Sequence, residues 1–278
     1  MTMENEIVYN VPTKLIDAYR GRNLIVRSAM PRDVIDSLSP SDLTRVRFVQ
    51  LLSTPADTSD LEAWGEGIPI DVVLKDPVGE FAVLYTYTNL LDTHPVRVSI
   101  PVVPGFSKAV KLAVSLSFAV KLELGQPDRF LIEELAEVLD LYLHRASLNQ
   151  PIEFFHTMLL SFYLEQPTSM WGIAEEDPAQ VHYVTDEGRE TISPRFASAT
   201  LPAHLDHFVE HYGQELISEK RECHDCEFFN RCGGYFKWPE KLYDCEGVKT
   251  LFLKLRTAAE ELKSDLATFS TTEGGQSS

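Results

Sequence analysis

Along residues 20 to 160, short β-branched apolar runs alternate with stretches of helical period. The candidate strands are "NLIVR" (23–27), "VRFVQLL" (46–52), "IPIDVVL" (68–74), "VRVSIPVV" (96–103), "FAVKLEL" (118–124) and "IEFFHTML" (152–159). They are nearly continuous apolar runs, as expected of strands buried on both faces of a parallel sheet. The clearest helix between them is "DRFLIEELAEVLDLYLHRAS", where Leu131, Leu135, Val138, Leu139 and Tyr142 recur at i, i+4, i+7, i+8 and i+11. Asp128 is placed to cap its start. Ser39 or Ser41 in "SPSDLTR" is placed to cap a short turn before the second strand. The order βαβαβα predicts an α/β sheet or a partial barrel.

Past residue 160 the pattern changes. "LEQPTSMWGIAEEDPAQ" is turn-rich and acidic, and "VHYVTDEGRETISPR" carries Asp186-Glu187-Gly188 between two short extended runs, a hairpin pattern. Helices are expected over about 201–219 and 246–267. The polar tail "STTEGGQSS" is expected to be disordered. The implied division is an α/β domain over 1–160, a second domain over 161–267 and a tail over 268–278.

Charge narrows the partners. With 25 Lys+Arg against 42 Asp+Glu, the formal charge is −17, which repels phosphate backbones and anionic membrane surfaces. Apolar runs such as "SLSFAV" and "TMLLSFYL" fall far short of the roughly 20 residues of a spanning helix. The first residues, "MTMENEIVYNVPTK", lack the basic and apolar regions of a secretory signal, so a cytoplasmic location is expected.

That expectation decides how the cysteines read. The chain has four, Cys223, Cys226, Cys232 and Cys245, all in "RECHDCEFFNRCGGYFKWPEKLYDCEG". In a reducing compartment such a cluster points to metal ligation rather than disulfides. The spacing Cys-x2-Cys-x5-Cys-x12-Cys supplies four thiolates, the count for a structural zinc or a [4Fe–4S] cluster. Zinc ribbons pair one CxxC with another, and the spread second half leans toward iron–sulfur.

"CHDCEFFNRCGGYFKW…YDC" resembles the SPASM domain that follows the radical SAM barrel in peptide-modifying maturases. The family is named for subtilosin, pyrroloquinoline quinone, anaerobic sulfatase and mycofactocin maturation. Its pattern is an upstream Cys, a hairpin with Gly-x4-Cys, then Cys-x2-Cys-x5-Cys-x3-Cys and a last Cys, and it binds two auxiliary [4Fe–4S] clusters. The resemblance makes Cys223, Cys226, Cys232 and Cys245 the ligands of the second cluster. The first set is missing together: Gly188-x4 arrives at Ser193, Cys232-x3 at Phe236, and no Cys precedes Cys223. The CxxxCxxC motif of the catalytic cluster is also absent. The resemblance thus implies a degenerate radical SAM-like partial (βα) barrel followed by a small α+β SPASM-like domain with one cluster and no radical SAM activity of its own. It implies an accessory role beside a radical SAM peptide maturase, in electron relay or in handling the precursor peptide. The alternative is a zinc-stapled module that binds a protein or peptide without redox chemistry.

Other constellations have plainer readings. His204, His207 and His211 share a helix face near Asp206 and Glu210, the spacing of a metal trio or of a solvated face. His224, inside the CxxC, is expected to be exposed or to support the ligands. Tyr235, Phe236 and Trp238 are candidates to shield a cluster or to be ordinary core. Glu175-Glu176-Asp177 is expected to be a solvated loop, or else a contact surface for a basic leader peptide. No GxSxG, HExxH or phosphate-loop pattern occurs, so an enzyme working from an N-terminal pocket without metal has least support.

Overall fold

The computed structural model describes residues 7–52, 57–145, 149–196 and 205–273, with side chains as far as 268. Its elements run β1 (Val8–Pro12), α1 (Ile16–Tyr19), β2 (Asn23–Ser28), α2 (Pro31–Ser37), β3 (Val46–Leu52), α3 (Ser59–Glu62) and β4 (Ile70–Val73). A run of 3-10 turns (Phe81–Asp92) leads to β5 (Val96–Pro101), α4 (Ser107–Ser115), β6 (Ala119–Glu123), α5 (Arg129–His144), β7 (Ile152–Glu153) and α6 (Phe155–Leu164). Then come α7 (Met170–Ile173), β8 (Val181–Val184), β9 (Glu190–Thr191), α8 (Phe208–Ser218), α9 (Phe229–Cys232) and α10 (Glu246–Glu273).

One nine-stranded sheet organises the chain, in the order β7-β6-β5-β4-β3-β2-β1-β8-β9. β1 to β7 are parallel and adjacent in sequence order, β8 joins β1 in parallel, and β9 folds back antiparallel to β8. The α/β class is therefore as expected, and the expected hairpin around Asp186-Glu187-Gly188 is the β8–β9 pair. Gly188 takes φ 82° at that turn, a conformation open to a residue without Cβ. Chain from beyond residue 160 thus returns to the sheet begun by β1.

Alternation along each strand gives the two faces different chemistry. Leu24, Val26, Val49, Leu51, Ile70, Val72, Val98, Ile100 and Val120 belong to the main core, together with Val34 of α2, Val110 of α4 and Leu135 of α5. The opposite face begins with a small apolar group, Val8, Ile25, Phe48 and Val181. Farther along β2 and β3, and on β4, β5 and β6, it turns polar: Arg27, Gln50, Asp71, Ser99 and Lys121 are all buried. The apolar runs concealed this layer, because one or two polar residues per strand barely interrupt them.

Some expectations fail. "IEFFHTML" is strand only at Ile152–Glu153; from Phe155 it is α6, which buries Phe155, Met158 and Phe162 at i, i+3 and i+7. A continuous apolar run fits either period, and here the helical one packs against α10. The helix expected over 201–219 is α8, preceded by a 3-10 turn from Leu205; 201–204 lie outside the described residues. α5 starts as expected, the Asp128 Oδ1 accepting from the Leu131 amide at 2.9 Å. α10 runs on to Glu273, into the expected tail, while 274–278 lie outside the described residues. It buries Val248, Leu251, Phe252, Leu255 and Ala259 against α6 and α5. Among the described residues no helix is long and apolar enough to cross a membrane.

Candidate functional site

The cysteine stretch folds as a tight series of turns between α8 and α10. The Cys226 amide donates to the Cys223 carbonyl at 3.4 Å, and the Cys232 amide to that of Phe228 at 2.9 Å. After Cys232 the chain reverses through Gly233 (φ 58°) and Gly234 (φ 76°). Gly234 suits this turn, since a residue with a Cβ would be strained at its φ and would push the Leu216 side chain aside. The reversal turns the amides of Gly234, Tyr235 and Phe236 toward the Cys232 sulfur, where they favour its thiolate.

Four thiols separated by up to 22 residues (245 − 223) thereby line one cavity of about 20 Å³. Phe228, Phe229, Phe236, Val248 and Phe252 form its apolar wall, and Glu222, Lys237 and Lys249 its polar rim. Glu222 bridges the two lysines, at 2.5 Å from Lys237 Nζ and 2.7 Å from Lys249 Nζ. All four cysteines are free thiols. Burial pushes Cys223 up, Cys232 up to about 11 against these three amides, and Cys245 up to about 12 against Lys237. Neutral thiols in an apolar pocket become thiolates when a soft metal replaces their protons.

The donor set therefore fits a thiolate-ligated metal group, and the amides and aromatic wall are the surroundings that tune an iron–sulfur centre. Space is tight. The cavity matches about one water in volume, so a four-iron group seats only if the cysteine turns move outward. Among the described residues, no three His, Cys, Asp or Glu side chains are grouped to hold a single ion. One tetrahedral zinc would draw four sulfurs to about 3.8 Å from one another, as follows from a Zn–S bond of about 2.3 Å.

Of the aromatic candidates, Phe236 lines this cavity, whereas Tyr235 faces the interior of the sheet and Trp238 stacks on Phe196 at 4.7 Å between centroids. Phe228, Phe229 and Phe252 complete the wall, and Phe252 was legible only as a helix position seven after Cys245. His224 is exposed and bonds Asp225 at 2.8 Å. His204 lies outside the described residues. His207 is exposed, near Asp206 and Glu210 at 3.9 and 4.0 Å, and its ring stands 6.0 Å from that of His211.

The largest departure concerns Glu175-Glu176-Asp177, which is no solvated loop. Glu175 is held at φ 60°, an uncommon conformation for a residue with a side chain, and reaches into the polar face of the sheet. Its carboxylate accepts from Arg97 at 2.7 and 2.9 Å and from Lys121 Nζ at 2.8 Å. Burial pushes Glu175 up, but Lys121 and Arg97 outweigh it and hold it down at about 2. Arg97 also bonds Asp71 at 2.9 Å, and Asp71 accepts from Ser99 and Gln50 at 2.8 and 2.9 Å. Glu176 pairs with Arg195, whose guanidinium lies 4.4 Å from the Tyr235 ring centroid. Asp177 turns back on its own loop, accepting from the Ala179 amide at 3.0 Å.

Beside these pairs lies a cavity of about 290 Å³, lined from β1, β2, β3, β4, β6 and β8 and closed by residues 174–176, 192–195 and Tyr235. Strands six positions apart in the sheet, β6 and β8, meet at this one space, so the polar face is concave. Ser193 lines the same cavity, at the position where the SPASM pattern has a cysteine, and its buried hydroxyl has no partner among the described residues. Compared with protein-family models, curated proteins and solved structures, the chain matches none.

Proposed function

We propose that this chain is an accessory iron–sulfur protein of a radical SAM peptide-maturation system. Cys223, Cys226, Cys232 and Cys245 hold one [4Fe–4S] cluster, and the chain relays an electron to a separate maturase or holds its precursor peptide. The observation that carries this reading is that every cysteine of the chain opens onto one apolar cavity. Its setting adds support: seven parallel strands in sequence order with a concave polar face suit a degenerate (βα) barrel, followed by a hairpin and the cysteine turns.

When bound, the cluster supplies a one-electron centre. The chain's own residues do the rest. Phe228, Phe236 and Phe252 keep water from the sulfurs. The amides of residues 234–236 stabilise negative charge on the Cys232 sulfur. Lys237 and Lys249, sharing the single carboxylate of Glu222, leave a net positive rim beside four thiolates. The chain has no further cysteines to hold a cluster that cleaves S-adenosylmethionine.

The test is anaerobic reconstitution followed by iron, sulfide and zinc analysis with EPR. About four irons per chain and a reducible cubane signal, both lost in Cys245→Ala, are the expected result. One zinc per chain without that signal would replace this reading with the zinc-stapled interaction module.

A further inference from the structure

The charges on the concave face pair off, with two exceptions. Arg97 and Lys121 share Asp71 and Glu175, and Arg195 has Glu176. Arg27 is only 4% exposed, yet it spends its donors on neutral oxygens: Asn10 O at 2.7 Å, Asn10 Oδ1 at 3.0 Å and the Val184 carbonyl. Its one carboxylate neighbour, Asp186, stays 3.7 Å away and is 64% exposed. The Glu123 carboxylate, at the end of β6, has no hydrogen bond and no ion pair within 4 Å among the described residues: its backbone carbonyl accepts from the Val102 amide, burial pushes the carboxyl up, and the nearby Lys121 is already paired with Glu175. These two residues, opposite in sign, line the same cavity of about 290 Å³.

We propose that this cavity binds a small zwitterion whose charges are well separated, its carboxylate at Arg27 and its ammonium at Glu123. Electrostatics favours both charges on one molecule. An anion alone would satisfy Arg27 while facing Glu123, and a cation alone would meet the reverse, each at low local dielectric. The two residues enter the cavity from different walls, because β3, β4 and β5 stand between β2 and β6 in the sheet order. An α-amino acid, with both charges on one carbon, spans this poorly; an ω-amino acid or a short peptide with free ends spans it well. The volume sits at the lower end of small-molecule pockets and sets the upper size. Asn10 and Gln50, bonded to each other at 2.8 Å, and Tyr183, whose ring centroid lies 4.1 Å from the Arg27 guanidinium, complete the polar part of the cavity wall. The site does not depend on any metal at the cysteines.

The test is calorimetric titration of the full chain with ω-amino acids of increasing length and with di- and triglycine. Monocarboxylates, monoamines and end-blocked peptides of matched length serve as controls. Zwitterions of one length are expected to bind at least about tenfold tighter than either singly charged control, the scale of one charged hydrogen bond. Whether the ω-amino acids or the peptides bind better tells which source the site serves, and either outcome supports it. Glu123→Gln, at the exposed mouth of the cavity, should remove the zwitterion's advantage while leaving monocarboxylate binding unchanged. Arg27→Gln should remove both, and Arg27→Lys should restore part. The proposal is overturned if singly charged compounds bind as well as zwitterions, if Glu123→Gln changes nothing, or if no compound binds in the millimolar range.

Discussion

Replacing Glu175 by glutamine keeps its shape and removes the charge that closes the interior of the sheet. The carboxylate is only 16% exposed and sits between Arg97 and Lys121. Its descent from 4.5 to about 2 on folding corresponds to about 3 kcal/mol. The variant also leaves Lys121 buried without its partner, the situation in which breaking a buried pair costs about 3–5 kcal/mol. Against the roughly 5–15 kcal/mol of a typical domain this is a large share. The pH dependence gives the argument its sign. Because the folded pKa is depressed, the contribution is fully present above the unfolded value of about 4.5 and is lost as pH falls toward the folded value of about 2. Urea unfolding, followed by the fluorescence of the three tryptophans, of which Trp171 is fully buried, should place Glu175→Gln about 3 kcal/mol or more below the parent at pH 7, at similar slope. The gap should hold down to about pH 5 and narrow below it. A gap under about 1 kcal/mol at pH 7, or one unchanged down to pH 3, would refute the reasoning.

Two further outcomes follow from local geometry. Gly234→Ala forces a Cβ into Leu216 at a φ of 76°, and should lower stability by about 1–3 kcal/mol in urea unfolding and reduce the iron retained on gel filtration. Retention equal to the parent would show that the reversal does not shape the site. Asp128→Ala removes the cap of α5 and should cost about 1 kcal/mol in the same titration, with metal content unaffected.

What could be read from the sequence was local. β2, β3, β4, β5 and β6 stood out as apolar runs, α5 by its period and cap, and the hairpin by its turn residues. β1 did not, being five residues long with Pro12 at its end, and neither did α2, although Pro31 at its first position is an ordinary helix start. The gathering of the four cysteines was legible because they lie in one stretch. The partner wall was not: Phe252 and Lys249 belong to a helix whose face is set by packing on α5 and α6. Glu175 was misread because its partners lie 78 and 54 residues away, beyond the reach of any local pattern.

The charged layer also bears on how this sheet avoids assembling wrongly. Arg27 sits in register with Gln50, Gln50 with Asp71, and Asp71 with Arg97. Parallel strands form late and with little local guidance, and uniform valine and isoleucine edges would accept many offsets almost equally. Sliding one strand by a single residue would turn its polar member into the hydrocarbon side and strand its neighbours' charges. The ladder thus works as a vernier: the Gln50–Asp71 and Asp71–Arg97 bonds mark the alignment of β3, β4 and β5, and a misalignment is penalised at the same positions.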